Sequence, residues 1–327
     1  MMTLNRKEIA IAGLGVVNLV SAYILAKQGF RLTLIDKGPS PLSGADWQEK
    51  GCTFGGENVR MYSYTEADNY NEKGSQTYAK MDEAFERVID KNGWLVKDKS
   101  RLNELEHSWI KDFHSVDPAS ANQFGEDIYS LNIQSGSLWD VWMKKAPELF
   151  EGLDLRKGIL RLYSDPADFA AAQALHGRLG SLTEVIDADE VSARYPVFDD
   201  ARRNQQLGGV MTVKGFTLKV HDLCLKIIKY LTETEATFRW NTHFSGIRRD
   251  ALGEVTGIEV DGEVEQYDHY LLSLGAYSGT TLQNTETGNQ LHGVLGVWLK
   301  LPNLYPELNH SMKIHKTGHV GEDTNIT

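Results

Sequence analysis

The chain of 327 residues is 41% apolar and 24% charged, with eight prolines and a formal net charge of −11; that length supports two domains or one large α/β domain. The acidic balance argues against nucleic acid or an anionic membrane as the main partner, because both recruit clustered Lys and Arg. Two cysteines, Cys52 and Cys224, cannot build a disulfide framework and point to a reducing, cytoplasmic compartment.

The run "KEIAIA" at 7–12 has the length of a buried strand. Gly13-Leu14-Gly15 turns the chain, and "VVNLVSAYILAKQ" predicts a helix with Val17, Val20, Ile24 and Leu25 on its packed face. Gly29 suits the end of that helix, and "RLTLID" at 31–36 alternates as a second strand. The apolar stretch 9–26 is broken by Asn18, Ser21 and two glycines, so it splits into strand and helix rather than crossing a membrane.

This β-α-β unit has the parts of a dinucleotide cradle. Gly13 permits a tight turn, Gly15 lets the backbone approach a pyrophosphate, and the N–H groups of Val16 and Val17 open a helix with its positive end toward the phosphates. Asp36, closing the second strand, offers a carboxylate to ribose hydroxyls. The third glycine of G-x-G-x-x-G is replaced by Asn18. An Asn there either pushes the helix outward or donates its amide to a nearby carbonyl or phosphate.

After Asp36 the chain enters a loop-rich, glycine-rich stretch at 37–66 instead of winding on as strand and helix. Residues 71–96 predict a helix with a stripe of Tyr78, Met81, Phe85 and Val88, and the aromatic-rich segment 109–150 reads as an insertion. "GILRLYSD" alternates so that Ile159, Arg161 and Tyr163 share a strand face; that face lines a pocket, or belongs to a solvent-facing edge strand. Residues 237–274 read as short strands separated by the hairpin signals "RDALGE" and "DGE", and "YLLSLG" as a buried strand stopping at Gly275. His310, His315 and His319 lie in strand and turn, and no metal site is expected.

With these segments in this order, the chain resembles the FAD-dependent amine and amino-acid oxidoreductases: D-amino-acid dehydrogenase, glycine oxidase and sarcosine oxidase. The run "GGENVRMYSY" is similar to a loop that in sarcosine-oxidase-like members lies beside the flavin ring; Gly56, Glu57, Asn58 and Arg60 match it, with Val59 as an extra residue. The resemblance implies an α/β fold: a Rossmann-type FAD-binding domain (1–90 and 205–285) and a discontinuous α+β substrate domain on a mixed, antiparallel sheet (91–204 and 286–327). It implies FAD as cofactor, held by Gly13, Gly15, Val16, Val17, Asn18, Asp36, Lys37, Cys52, Thr53, Gly55, Gly56, Gly275 and Ala276. It further implies oxidation of the C–N bond of an amino acid or secondary amine by hydride transfer to flavin, with Arg60, Tyr64, Arg161 and Tyr163 as the candidates for handling substrate. Arg suits a substrate carboxylate because its planar fork pairs with one bidentately.

Members of the family continue beyond the point where this sequence stops, so a fragment, a short form, or a second polypeptide completing the site is also expected. An FAD-binding subunit is the alternative function. A nicotinamide-dependent dehydrogenase is a further one, and it requires continued parallel winding after Asp36.

Overall fold

The computed structural model describes residues 7–43, 60–65, 73–74, 78–79, 86–91, 93, 95, 97–288, 291, 302–315 and 324–326. The chain divides into two units. The first comprises Met1–Val59, Glu148–Leu153 and Lys219–Leu301, and the second Arg60–Pro147, Asp154–Leu218 and Pro302–Thr327. The first passage falls at 59/60, not near residue 90, because Met61–Ser63 pairs antiparallel with Gly209–Thr217, a strand of the second unit. That same strand carries the return to 218/219 rather than 205. Residues 148–153 join the first unit through backbone groups. Lys219 N–H donates to Leu153 O at 2.9 Å, and Lys226 Nζ donates to the carbonyls of Glu148 and Glu151 at 2.9 and 2.6 Å.

The first unit is built on a parallel sheet in the order His269–Leu272, Glu8–Ala12, Arg31–Ile35, Thr237–Arg239. The strand beside Arg31–Ile35 thus arrives some two hundred residues later in the chain, not by continued winding. Val16–Lys27 forms the crossover helix. At its end Gly29, at φ +89, donates to Ala26 O and Phe30 N–H donates to Leu25 O, the paired bonds of a Schellman stop.

The packed face of this helix differs from the expected one. Asn18, Leu19, Ala22 and Tyr23 are buried, whereas Val17 and Ile24 are 64% and 47% exposed. The helix is apolar around most of its circumference, so periodicity does not select a side. Its partner does: Tyr23 meets Tyr230 of the helix Val220–Thr232 at 4.8 Å between ring centroids. That second helix buries Val220, Leu223, Cys224, Ile227, Ile228 and Leu231, a clean stripe at helical spacing.

The strands Phe244–Arg249, Val255–Val260 and Glu263–Glu265 form an antiparallel meander. Its second turn has Asp261 and Gly262 both at positive φ, as a two-residue hairpin requires. His269–Leu272 is half-buried rather than buried. Arg239 Nη1 lies 2.6 Å from each oxygen of Glu265, and Tyr267 donates its hydroxyl to the same carboxylate at 2.6 Å.

The second unit holds a mixed sheet in the order Thr324–Ile326, Met312–His315, Arg156–Tyr163, Gly209–Thr217, Met61–Ser63, with Leu182–Ile186 also paired to Gly209–Thr217. Arg156–Tyr163 is therefore an interior strand, which overturns the edge-strand alternative. One face buries Leu160, Leu162, Val210 and Met312 against Val191 and Tyr195. The other buries Ile159, Tyr163, Met211 and Val213 beneath Phe169 and Ala172 of the helix Pro166–Arg178. The segment read as an insertion holds the helix Pro118–Lys145, capped by Asp117, and the second half of the helix Glu104–Ser115, opened by a capping box of Asn103 and Glu106. The helix expected to reach residue 96 does not: Val88 bridges Leu95 around a 3-10 turn at Ile89–Lys91, and a side chain at Gly93 would sit 2.0 Å from Arg87 O. Met81 and Phe85 lie outside the described residues.

Candidate functional site

In the first unit the carboxyl ends of three neighbouring strands converge on the Gly13–Gly15 turn. Gly13 N–H donates to Ile35 O at 2.9 Å, and Ser273 N–H donates to Ala12 O at 3.2 Å. Gly13 has φ +87, and a Cβ there would lie 2.6 Å from Ser273 O. Glycine is therefore required both for conformation and for space. Leu14 N–H donates to Asp36 Oδ2 at 2.6 Å and Gly38 N–H to Asp36 Oδ1 at 2.7 Å, so the Asp36 carboxylate is fixed by backbone on both oxygens. Each oxygen keeps a second lone pair for a ligand hydroxyl.

Gly15 is the extended N-cap of the crossover helix, with no side-chain cap and no acid in the first turn. First-turn N–H groups have no intrahelical acceptor; here, among the described residues, neither a capping side chain nor a first-turn acid competes for those of Val16 and Val17. Asn18 turns inward. Its Nδ2 donates to Ala12 O at 2.8 Å and Gly13 O at 2.7 Å, which uses both amide protons on the end of the first strand. Its Oδ1 is buried with no hydrogen-bond partner among the described residues. Of the two expected behaviours, the amide-to-carbonyl bond is the one observed.

Gly275, at φ +58, and Ala276 open a short exposed turn after Leu274. Within that turn Tyr277 lies under the Lys37 ammonium, 3.2 Å from its ring centroid. A dinucleotide's pyrophosphate and ribose fit this cradle: close backbone without side chains, a positive helix end and a fixed carboxylate. Cys52, Thr53, Gly55 and Gly56, with Glu57 and Asn58, lie outside the described residues.

The remaining candidates belong to the second unit. Arg60 is half-buried, and its carbonyl accepts from Leu218 N–H at 3.2 Å. The Tyr64 ring crosses the long helix at Gly136, where a Cβ would be 2.2 Å from Tyr64 Cζ and Oη. Burial, reinforced by Asp140, raises the pKa of the Tyr64 hydroxyl. Arg161 and Tyr163 project from one face of the interior strand, each only 7% exposed. Arg161 Nη2 reaches Thr65 Oγ1 at 3.4 Å, so the arginine and the Tyr64–Thr65 segment come together.

Sequence reasoning missed Lys313, His315 as a neighbour of Tyr163, and Tyr277. Lys313 is directly opposite Arg161, and His315 opposite Tyr163, in parallel register. His315 lies 5.5 Å from the Tyr163 ring and 3.4 Å from Asp168 Oδ2. The alternation in "MKIH", with apolar Met312 and Ile314 on the other face, was the available signal. Nothing local marks Tyr277.

A profile of the family described as FAD dependent oxidoreductase (DAO) matches residues 8–322. D-amino acid dehydrogenase 2 of Ralstonia nicotianae is 23% identical over 318 residues, 94% of this chain and 66% of that protein. D-amino acid dehydrogenase 2 of Pseudomonas aeruginosa is 25% identical over 333 residues, 98% of this chain and 70% of its own length. This chain thus spans about two thirds of the length of these curated relatives. The crystal structure of L-proline dehydrogenase from P. horikoshii shares the fold, with a TM-score of 0.52, 14% identity, and coverage of 98% of this chain and 71% of that one. Among the described residues no helix is long and apolar enough to cross a membrane.

Proposed function

The chain belongs to the FAD dependent oxidoreductase family, and from that premise we propose that it oxidises the C–N bond of an amino acid or secondary amine. The observation that carries the reading is the Gly13–Gly15 turn with its close approach to Ser273 and its bond to Asp36. The backbone of Gly13, Gly15, Val16 and Val17 holds the pyrophosphate, and Asp36 accepts from a ribose hydroxyl. Asn18 acts one step behind, keeping the carbonyls of Ala12 and Gly13 turned away from the phosphates. Lys37, Gly275 and Ala276 flank the same turn, and the family resemblance assigns Cys52, Thr53, Gly55 and Gly56, outside the described residues, to the cofactor as well.

FAD, when bound, supplies the two-electron acceptor for the hydride leaving the carbon that bears nitrogen. The chain's own residues hold and orient the substrate. Arg161, fixed on an interior strand, takes the carboxylate in a bidentate fork, which fixes the α-carbon at low entropic cost. Tyr163 and Tyr64 present hydroxyls, burial raising the pKa of the Tyr64 one, and Arg60 contributes a second positive charge. Relatives named D-amino acid dehydrogenase support an amino acid as the substrate class.

The test is the visible spectrum of the purified protein before and after anaerobic addition of pooled D-amino acids and N-methyl amino acids. A flavin spectrum that bleaches supports the reading. A flavin spectrum that no amine bleaches overturns the substrate class, and a protein that cannot be loaded with FAD overturns the cradle.

A further inference from the structure

His269–Leu272 and Arg31–Ile35 flank Glu8–Ala12 in the parallel sheet, so their carboxyl ends lie two strand spacings apart, about 10 Å. Ser273 O crowds Gly13 from one side, and Asp36 accepts from Leu14 N–H on the other. Beyond these contacts the exposed side chains of Lys37 and Tyr277 meet, with the ammonium 3.2 Å from the ring centroid. The two outer strand ends are thus joined across the central one. Together the three contacts make a ring whose closed side is the Gly13-Leu14 backbone.

This contact answers a charge problem in the cradle. A dinucleotide brings one negative charge on each phosphate, and the Asp36 carboxylate adds another close by. The helix N-terminus returns only about half an elementary positive charge. Arg239, at the end of the next strand, is bonded to both oxygens of Glu265, so its charge is already matched. Lys37 lies on the same rim, but an exposed lysine ordinarily samples many rotamers in water, and fixing one is costly. The electron-rich face of Tyr277 holds its ammonium across the strand ends instead.

We infer that Tyr277 is a positioning residue for the cofactor: its ring holds the Lys37 ammonium over the cradle, where the ammonium pairs with the pyrophosphate. The inference rests on the cradle's taking a dinucleotide and on nothing about the substrate. An aromatic face at position 277 is what the role requires. The phenol hydroxyl has no part in it, and an aliphatic side chain cannot replace the ring.

The experiment is titration with FAD, followed by quenching of flavin fluorescence, across a double-variant cycle. Lys37→Met is expected to bind FAD about 30-fold more weakly, the worth of one charge-assisted contact. Tyr277→Leu is expected to weaken FAD about fourfold, the scale of a cation–π contact at an exposed site. Tyr277→Phe should stay within twofold of the unsubstituted protein. In a Lys37→Met background, Tyr277→Leu should weaken FAD no further, because the ring acts through the ammonium. Melting temperatures should hold in every variant, both side chains being exposed. Tyr277→Leu weakening FAD equally with and without Lys37 overturns the inference, since the ring then acts independently of the lysine. Lys37→Met binding FAD within twofold of the unsubstituted protein overturns it too. A protein that takes up no FAD overturns the cradle itself and the inference with it, an outcome distinct from FAD bound without coupling.

Discussion

Gly13→Ala separates two demands that the cradle makes of one residue. At φ +87 an alanine is strained, which costs about 1–2 kcal/mol. Its Cβ would also stand 2.6 Å from Ser273 O, so the Ser273 peptide must retreat and loosen its bond to Ala12 O, another 1 kcal/mol or so. Gly29 provides the control. Its φ of +89 is nearly the same, but nothing lies within 4 Å of a Cβ there, so Gly29→Ala carries the strain alone. Both variants are melted and titrated with FAD by quenching of flavin fluorescence. Gly29→Ala is expected to lose a few degrees and keep its FAD affinity. Gly13→Ala is expected to lose roughly twice as much stability and, because the turn itself moves, to bind FAD some tenfold more weakly or worse. Equal losses in the two variants, with FAD binding intact in both, would refute the argument that close approach of strand ends shapes the phosphate site.

Asn18→Ala strips two carbonyls of a buried donor, and a loss of about 1–3 kcal/mol is expected in the thermal melt; an unchanged melting temperature would show the bonds to be dispensable. Gly136→Ala should destabilise despite a gain in helix propensity of about 1 kcal/mol, because its Cβ meets Tyr64, whereas Gly177→Ala, with open space around it, should stabilise. Matching signs for the two would exclude the Tyr64 contact. Burial, and then its bond to Glu265, push the Tyr267 hydroxyl up to about 12, against about 10 in the unfolded chain. The stability this confers is complete below pH 10 and lost as pH climbs toward 12. Tyr267→Phe should therefore flatten the alkaline fall of the urea midpoint, and parallel curves would count against the network. Burial pushes the Cys224 thiol up to about 12, so peptide mapping after native-state alkylation at pH 8 should find it unmodified; rapid labelling would place it at the surface.

The readable parts of the fold are those whose determinants sit close together in sequence. The β-α-β unit is specified within residues 8–36: two apolar runs, a glycine turn and a glycine stop. Asp261-Gly262 announces its hairpin because only a few residues accept positive φ twice in succession. The packed side of the crossover helix was not readable, since Val17 and Ile24 are as apolar as Leu19 and Ala22, and the choice is made by Tyr230, two hundred residues away. The same applies to the long helix Pro118–Lys145. Leu131 and Leu138 remain 62% and 70% exposed there, while Gly136 is buried to admit Tyr64. Apolar spacing points to the wrong residues in such a helix. On the second unit's sheet, the face that Arg161 occupies is legible from the alternation of its own strand. Lys313 acquires meaning only from a register set 150 residues downstream.

Asn18 shows how a motif survives losing a letter. Glycine at that position serves close packing of helix on strand, and a larger residue should force the two apart. The asparagine is instead 1% exposed and bonded to both carbonyls at the strand's end, so hydrogen bonds replace the contact that glycine would give. The exchange leaves Oδ1 buried without a donor among the described residues, a liability of about 1–3 kcal/mol. Two bonds at 2.7 and 2.8 Å offset about that much, so the substitution is close to neutral for the fold alone. A departure from the glycine pattern that looks like damage in the sequence is thus, in the folded turn, an exchange of close packing for two hydrogen bonds.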